Sequence, residues 1–296
     1  MFDFRYHALS LVAVFLALAI GIVLGVTIGD SLVSRAEEGL REDLRGDVER
    51  ARDAERQAQV QLEGRDEALT EAFPRLASQR LSGRDVAVVA TGEIPSDLEQ
   101  SVEEAVEVAG GSVDSVSAFE LPLDFAALAS TAGGRLAGLT GATPAELDAL
   151  GQGVGESLVR GGSVARRLSE EAPQSFRGEF TGADAVVFHR TPSASDASSD
   201  ETVAQRRARE ARERFEAAMF EAMGAEEMPV IGVESSDTEP SQVAFYSRYN
   251  LSSVDSVDLP GGQLALVYTL DAIEDARGNY GYKATAERAL PELPDL

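Results

Sequence analysis

Of the four methionines and two histidines in the 296-residue sequence, Met219, Met223, Met228 and His189 are the candidates to hold a soft metal ion. Met219 and Met223 stand one helical turn apart, and Met228 follows within a short connection. Thioethers suit Cu(I), so copper is the ligand this group points to. The competing reading is core packing, because methionines at helical spacing beside a strand commonly fill a hydrophobic interior. Glu226 and Glu227 next to them are hard oxygen donors that Cu(I) does not favour. His189, with Asp196 and several serines near it in sequence, is the other reactive candidate. No nucleophile-elbow motif accompanies it, so a structural histidine is the expectation, and no catalytic residue is predicted.

Other chemistry is limited by composition. There is no cysteine, which excludes disulfides, thiolate metal sites and thiol catalysis. There are only two histidines. The formal charge is -25, so nucleic acid and anionic lipid surfaces are not expected partners of the soluble part. No calcium-loop motif appears among the 51 carboxylates. The segment after the first strand, Thr91-Gly92-Glu93-Ile94-Pro95-Ser96-Asp97, has one glycine and carboxylates where a phosphate loop needs several glycines. Gly151-x-Gly153-x-Gly155 falls inside a helical pattern rather than after a strand and reads as a loosened helix or loop. No cofactor is assigned beyond copper as a candidate.

Three segments must position these residues. Residues 8–29 are 22 residues without a charge. As a helix they would span about 33 Å, enough for a bilayer core. The run is longer than the apolar region of a cleaved signal peptide and the flank 30–36 is a poor cleavage site, so 1–30 is expected to be an uncleaved single-pass membrane anchor. The short leading tail and large following domain favour a cytoplasmic N-terminus with the bulk outside the cell. Ala17, Gly21, Gly25 and Gly29 recur at steps of four and form a ridge on which another helix could pack closely.

Residues 31–82 read as a helical coiled-coil stalk. A seam at steps of four and three runs Leu44, Val48, Ala51, Glu55, Ala58, Leu62, Arg65, Leu69, Ala72. Ridge and seam both favour a homodimer or higher oligomer; the alternative is a lone helix folding back on its own domain. Pro74 should end or kink this helix.

Residues 83–277 alternate between buried-strand and amphipathic-helix patterns. Strands are expected at 85–91, 112–119, 183–189, 228–233 and 253–259. Helices are expected from Ser96, around 124–131 and 144–160, from about 200 to 223, at 242–249 and at 262–270. This order predicts a mostly parallel, three-layer α/β domain of Rossmann or flavodoxin type. Residues 191–202 should form a surface loop and 278–296 a C-terminal tail.

The stretch Phe4-Arg5-Tyr6-His7-Ala8-Leu9-Ser10-Leu11-Val12-Ala13-Val14-Phe15-Leu16-Ala17-Leu18-Ala19-Ile20-Gly21-Ile22-Val23-Leu24-Gly25 resembles the start of the actinobacterial MctB family of copper transport proteins. Gly278-Asn279-Tyr280-Gly281-Tyr282-Lys283-Ala284 resembles that family's terminal G-x-Y-G stretch. The resemblance implies copper homeostasis or export in the cell envelope, with no residue-level copper motif to carry over. The residues taken alone better support the alternative, a dimeric envelope scaffold that recruits another envelope protein and handles no copper.

Overall fold

Hydrophobic periodicity sets most of the element boundaries. The computed structural model describes residues 4–171, 176–178, 183–193, 201–272 and 277–292; in its first helix the side chains of 4–7 and 25–43 also lie outside the described residues. That helix, α1, runs Phe4–Ala77. The chain divides into two units, Met1–Arg65 and Asp66–Leu296.

The first unit is helix throughout its described length. From Leu9 to Leu24 its large apolar side chains are exposed on every face, with Leu9 76% and Leu24 54% accessible. Among the described residues no helix is long and apolar enough to cross a membrane, and the expected span of 8–29 runs past the last described side chain of this stretch. Pro74 lies inside α1 without ending it, three residues before its last.

In the second unit, strands β1 (Asp85–Thr91), β2 (Ser112–Phe119), β3 (Phe176–Gly178), β4 (Ala185–Arg190), β5 (Val230–Val233), β6 (Ser252–Val254) and β7 (Asn279–Tyr280) form one sheet in the order β3-β2-β1-β4-β5-β6-β7. Six of them run parallel; β3 pairs antiparallel with β2 at one edge. The helices are α2 (Ser96–Val108), α3 (Phe125–Ala132), α4 (Pro144–Arg160), α5 (Ser163–Glu171), α6 (Val203–Ala225), α7 (Val243–Arg248) and α8 (Pro260–Asp271). One apolar layer joins α2, α8 and the end of α1 through Phe73, Ala77, Leu98, Val106, Leu264 and Leu266 to the face of the sheet bearing Val88 and Val187. The other joins α3 to α7 through Leu150, Val154, Phe215, Met219 and Phe245 to the face bearing Val89 and Phe188. Parallel strands covered on both faces read as continuous apolar runs, which is why β1, β4 and β5 are plain in the sequence.

Three departures from expectation have physical causes. The predicted strand 253–259 stops at Val254, because Ser256 takes a left-handed φ of 55° and the Asp255 carboxylate turns to accept from Ser256 Oγ at 2.7 Å and the Tyr282 amide at 2.7 Å. The sheet continues beyond residue 277: Asn279 and Tyr280 pair with β6. Both edge strands have three residues or fewer, too short for a periodic signal. The glycine triplet in α4 is regular helix and not a loosened loop. An added Cβ at Gly151 would lie 2.3 Å from the Phe215 carbonyl oxygen, and one at Gly155 would lie 2.6 Å from that of Met219. These glycines let α4 and α6 touch backbone to backbone. Of the expected loop 191–202, residues 194–200 lie outside the described residues.

This contact gives a prediction with opposite signs at two glycines. Gly155→Val should destabilise the domain by about 1–3 kcal/mol through overpacking. Gly224→Ala, near the end of α6 with nothing within 4 Å of an added Cβ, should stabilise it by up to about 0.5–1 kcal/mol. Urea unfolding of the two variants checks both signs.

Candidate functional site

Counting the parallel strands alone, the order is 2-1-3-4-5-6, so the chain reverses direction across the sheet between β1 and β4. Ligands of such sheets bind at the carboxyl ends of the strands beside this switch point. Here the two strands end on Thr91 and Arg190, which are direct neighbours in the parallel register. Arg190 is 2% exposed and Thr91 fully buried.

Helix α6 supplies what faces them. Its buried stripe runs Arg212, Phe215, Glu216, Met219, Ala222, Met223, placing two charged groups in an otherwise apolar row. Glu216, fully buried, accepts from Arg190 Nε at 3.0 Å, from Arg212 Nε at 2.7 Å and from the Thr91 hydroxyl. Arg212 Nη2 also donates to the Thr91 carbonyl at 3.0 Å and hydroxyl at 2.9 Å. Arg190 Nη1 donates to Gln242, and its guanidinium lies 4.2 Å from the centre of the Phe245 ring. Among the described residues, the protein's own ion pairs occupy these two strand ends.

A second cluster closes the adjoining strand ends. Glu234, fully buried after β5, pairs with Lys283 at 2.9 Å and accepts from Ser241 Oγ at 2.8 Å and the Gln242 amide at 2.5 Å. Lys283, the one lysine in the sequence, also donates to the Thr238 carbonyl at 2.8 Å. Asp255 receives the Tyr282 and Lys283 amides at 2.7 and 3.1 Å. Gly281 between these segments has φ 130°, and an added Cβ would lie 2.3 Å from that carboxylate. The terminal Gly-x-Tyr-Gly-Tyr-Lys stretch is thus the clamp of the last strands.

The four candidate metal ligands are not brought together. Met219 and Met223 are fully buried in the layer with Phe188, Phe215 and Phe220, and Met228 packs half-buried at its margin. Along β4, Val186 and Phe188 face that layer while Ala185 and Val187 face the other. Alternation therefore sends His189 to the opposite side of the sheet from the methionines. Its Nδ1 lies 3.4 Å from the Val233 carbonyl. Burial above all, aided by the Arg212 charge and opposed by the Val233 carbonyl, lowers its pKa from 6.5 to about 4, so it is a neutral interior group. Asp196 lies outside the described residues. Among the described residues no group of three or more His, Asp or Glu is placed to hold a metal ion.

A concave region of about 1370 Å³ opens at the other end of the sheet, where the strands begin. Arg84, Asp184, Glu213, Met228, Arg248 and Tyr249 line it. Its charges partly neutralise each other: Arg248 meets Glu213 at 3.3 Å, and Arg214 meets Asp148 at 2.6 Å. The helix-packing candidates lie in the first unit. Gly21 has nothing within 4 Å of an added Cβ, and Ala17 is exposed. Gly25 and Gly29 continue the helical backbone, with their surroundings outside the described residues.

Sequence reasoning missed the buried charges. The available signals were Arg212 and Glu216 in register with Phe215 and Met219, and the singular lysine. The family model described as "Copper transport outer membrane protein, MctB" matches residues 1–291. No curated protein matches the chain.

Two predictions follow from the buried groups. Glu216→Gln leaves two buried guanidinium groups without their carboxylate and should cost about 3–5 kcal/mol in denaturant unfolding. His189 binds its proton less readily folded than unfolded. Its contribution to stability is therefore full above pH 6.5 and is lost as pH falls toward 4, by up to roughly 3 kcal/mol. His189→Gln should flatten the unfolding free energy between those pH values; an unchanged slope would assign the acid sensitivity to other groups.

Proposed function

The chain belongs to the MctB family, and from that premise we propose that it is a membrane-anchored cell-envelope protein acting in copper homeostasis or export. The observation that carries this reading is the family match over residues 1–291, a family described by copper transport and not by a reaction. Two features of the fold support the anchoring. The sheet is covered by helices on both faces and so offers no face to lipid. The stretch from Leu9 to Leu24 exposes apolar side chains on all sides of a helix, the pattern of a lipid-facing segment. The acidic α/β domain, with its share of the -25 charge, is repelled by anionic headgroups and belongs in the aqueous phase. We place the N-terminus in the cytoplasm and the domain outside it.

A second reading, a scaffold that handles no copper itself, is favoured by one observation: the sheet separates His189 from the three methionines. The two readings agree on the anchor and differ on direct binding. Copper, the cargo of the first reading, would then pass through an assembly or partner and not through a site in this domain.

The test is cellular. A strain lacking the protein should accumulate copper under copper stress, and the full chain should restore the normal content. A chain lacking residues 8–29 should leave the membrane fraction and fail to restore it. Unchanged copper content in the deletion strain would sink the copper role. In parallel, Cu(I) competition titration of the full chain in detergent should be indifferent to combined Met219→Leu, Met223→Leu and Met228→Leu substitution. Binding lost in that variant would return the thioethers to a ligand role.

A further inference from the structure

Within the first unit, one stripe of α1 is apolar, exposed and periodic. Leu44 is 53%, Val48 47% and Leu62 56% accessible, and Ala51 and Ala58 lie exposed between them. Their spacing is a heptad seam, with Val48, Glu55 and Leu62 at a positions and Leu44, Ala51 and Ala58 at d positions. The same stripe is handled differently farther along. Leu69 and Ala72 are half-buried, and Phe73 and Ala77 enter the core of the second unit. The seam is thus occupied from Leu69 onward and vacant from Leu44 to Leu62.

We propose that this vacant seam is filled by the same stripe of a second copy, in parallel and in register, forming a two-stranded coiled coil over about residues 44–62. Charge complementarity favours this occupant. In a parallel pair the g residue of one helix meets the e residue five positions on in the other. That brings Asp47 to Arg52 of the second copy, twice by symmetry, with opposite charges. An antiparallel pair would also match charges, setting Glu55 against Arg65. It would, however, need Val48 to pack on Ala72, and that part of the stripe is already covered. Glu55 is the one charged a position in the vacant stretch. Facing its own copy, it weakens the pair while penalising shifted registers, as a polar a residue does elsewhere. The parallel orientation rests on the anchored reading above, since two chains inserted in one bilayer must point the same way.

The absence of cysteine permits a direct test on the full chain in its membrane. Single variants Val48→Cys, Ala51→Cys, Ala58→Cys and Leu62→Cys should give disulfide dimers on diamide treatment. Gly46→Cys, Asp53→Cys and Val60→Cys, at f positions, should not, although Val60 is the most exposed large apolar residue of this stretch at 67%. Adding Glu55→Leu to Val48→Cys should raise the dimer fraction, and adding Leu62→Asp should abolish it. Dimers at every position, at none, or only at 58 and 62 would each overturn the proposal, the last by indicating antiparallel pairing. Fractionation of the same samples separates this result from the anchor. Periodic dimers in the soluble fraction would keep the coiled coil and remove the anchor; membrane-bound monomers would do the reverse.

Discussion

The carboxylate of Glu216, buried between Arg190, Arg212 and the Thr91 hydroxyl, is the interaction on which the α/β domain depends. It joins α6 to the ends of the two strands where the sheet reverses. A single charged group in that interior would be expelled or neutralised. Two guanidinium groups with fixed fork geometry make it tolerable, and in return they fix the height and rotation of α6 over the sheet. Such networks add less to net stability than well-packed apolar groups would. What they add here is position.

With α6 so placed, the remaining layer follows. Gly151 and Gly155 let α4 approach until its backbone meets that of α6, and Met219 and Met223 fill the space beneath. The same positioning settles the chemistry of the crevice. In related sheet orders this is where a ligand sits; here the space holds protein side chains. Beside it, the chain's last strand is pinned by Lys283 on Glu234 and by amides on Asp255. Among the described residues, buried ion pairs occupy the strand ends beside the switch point, and a concavity lies at the end where the strands begin.

Long, periodic features were legible in the residues. β1, β2, α4 and the start of α2 follow from apolar runs, alternation and the helix start at Ser96, and they lie where expected. In the sequence itself the apolar run 8–29 and the seam from Leu44 each repeat one pattern for many residues. Short elements were not legible. β3 and β7 exist because a neighbouring strand offers hydrogen-bonding groups, and two or three residues carry no period.

The sequence by itself determined the class of the protein. Its lack of cysteine, its acidity, its apolar opening segment and its strand–helix alternation bound what it can be, since composition and period act locally. Tertiary structure alone decided which groups meet. It set His189 and the methionines on opposite faces, because a strand alternates its side chains whatever their chemistry. It brought Thr91 and Arg190 to the Arg212–Glu216 pair of α6 from distant parts of the chain, because the parallel register aligns two strand ends that a helical stripe then crosses. Contacts between residues 26 to 125 positions apart leave no local periodicity to read.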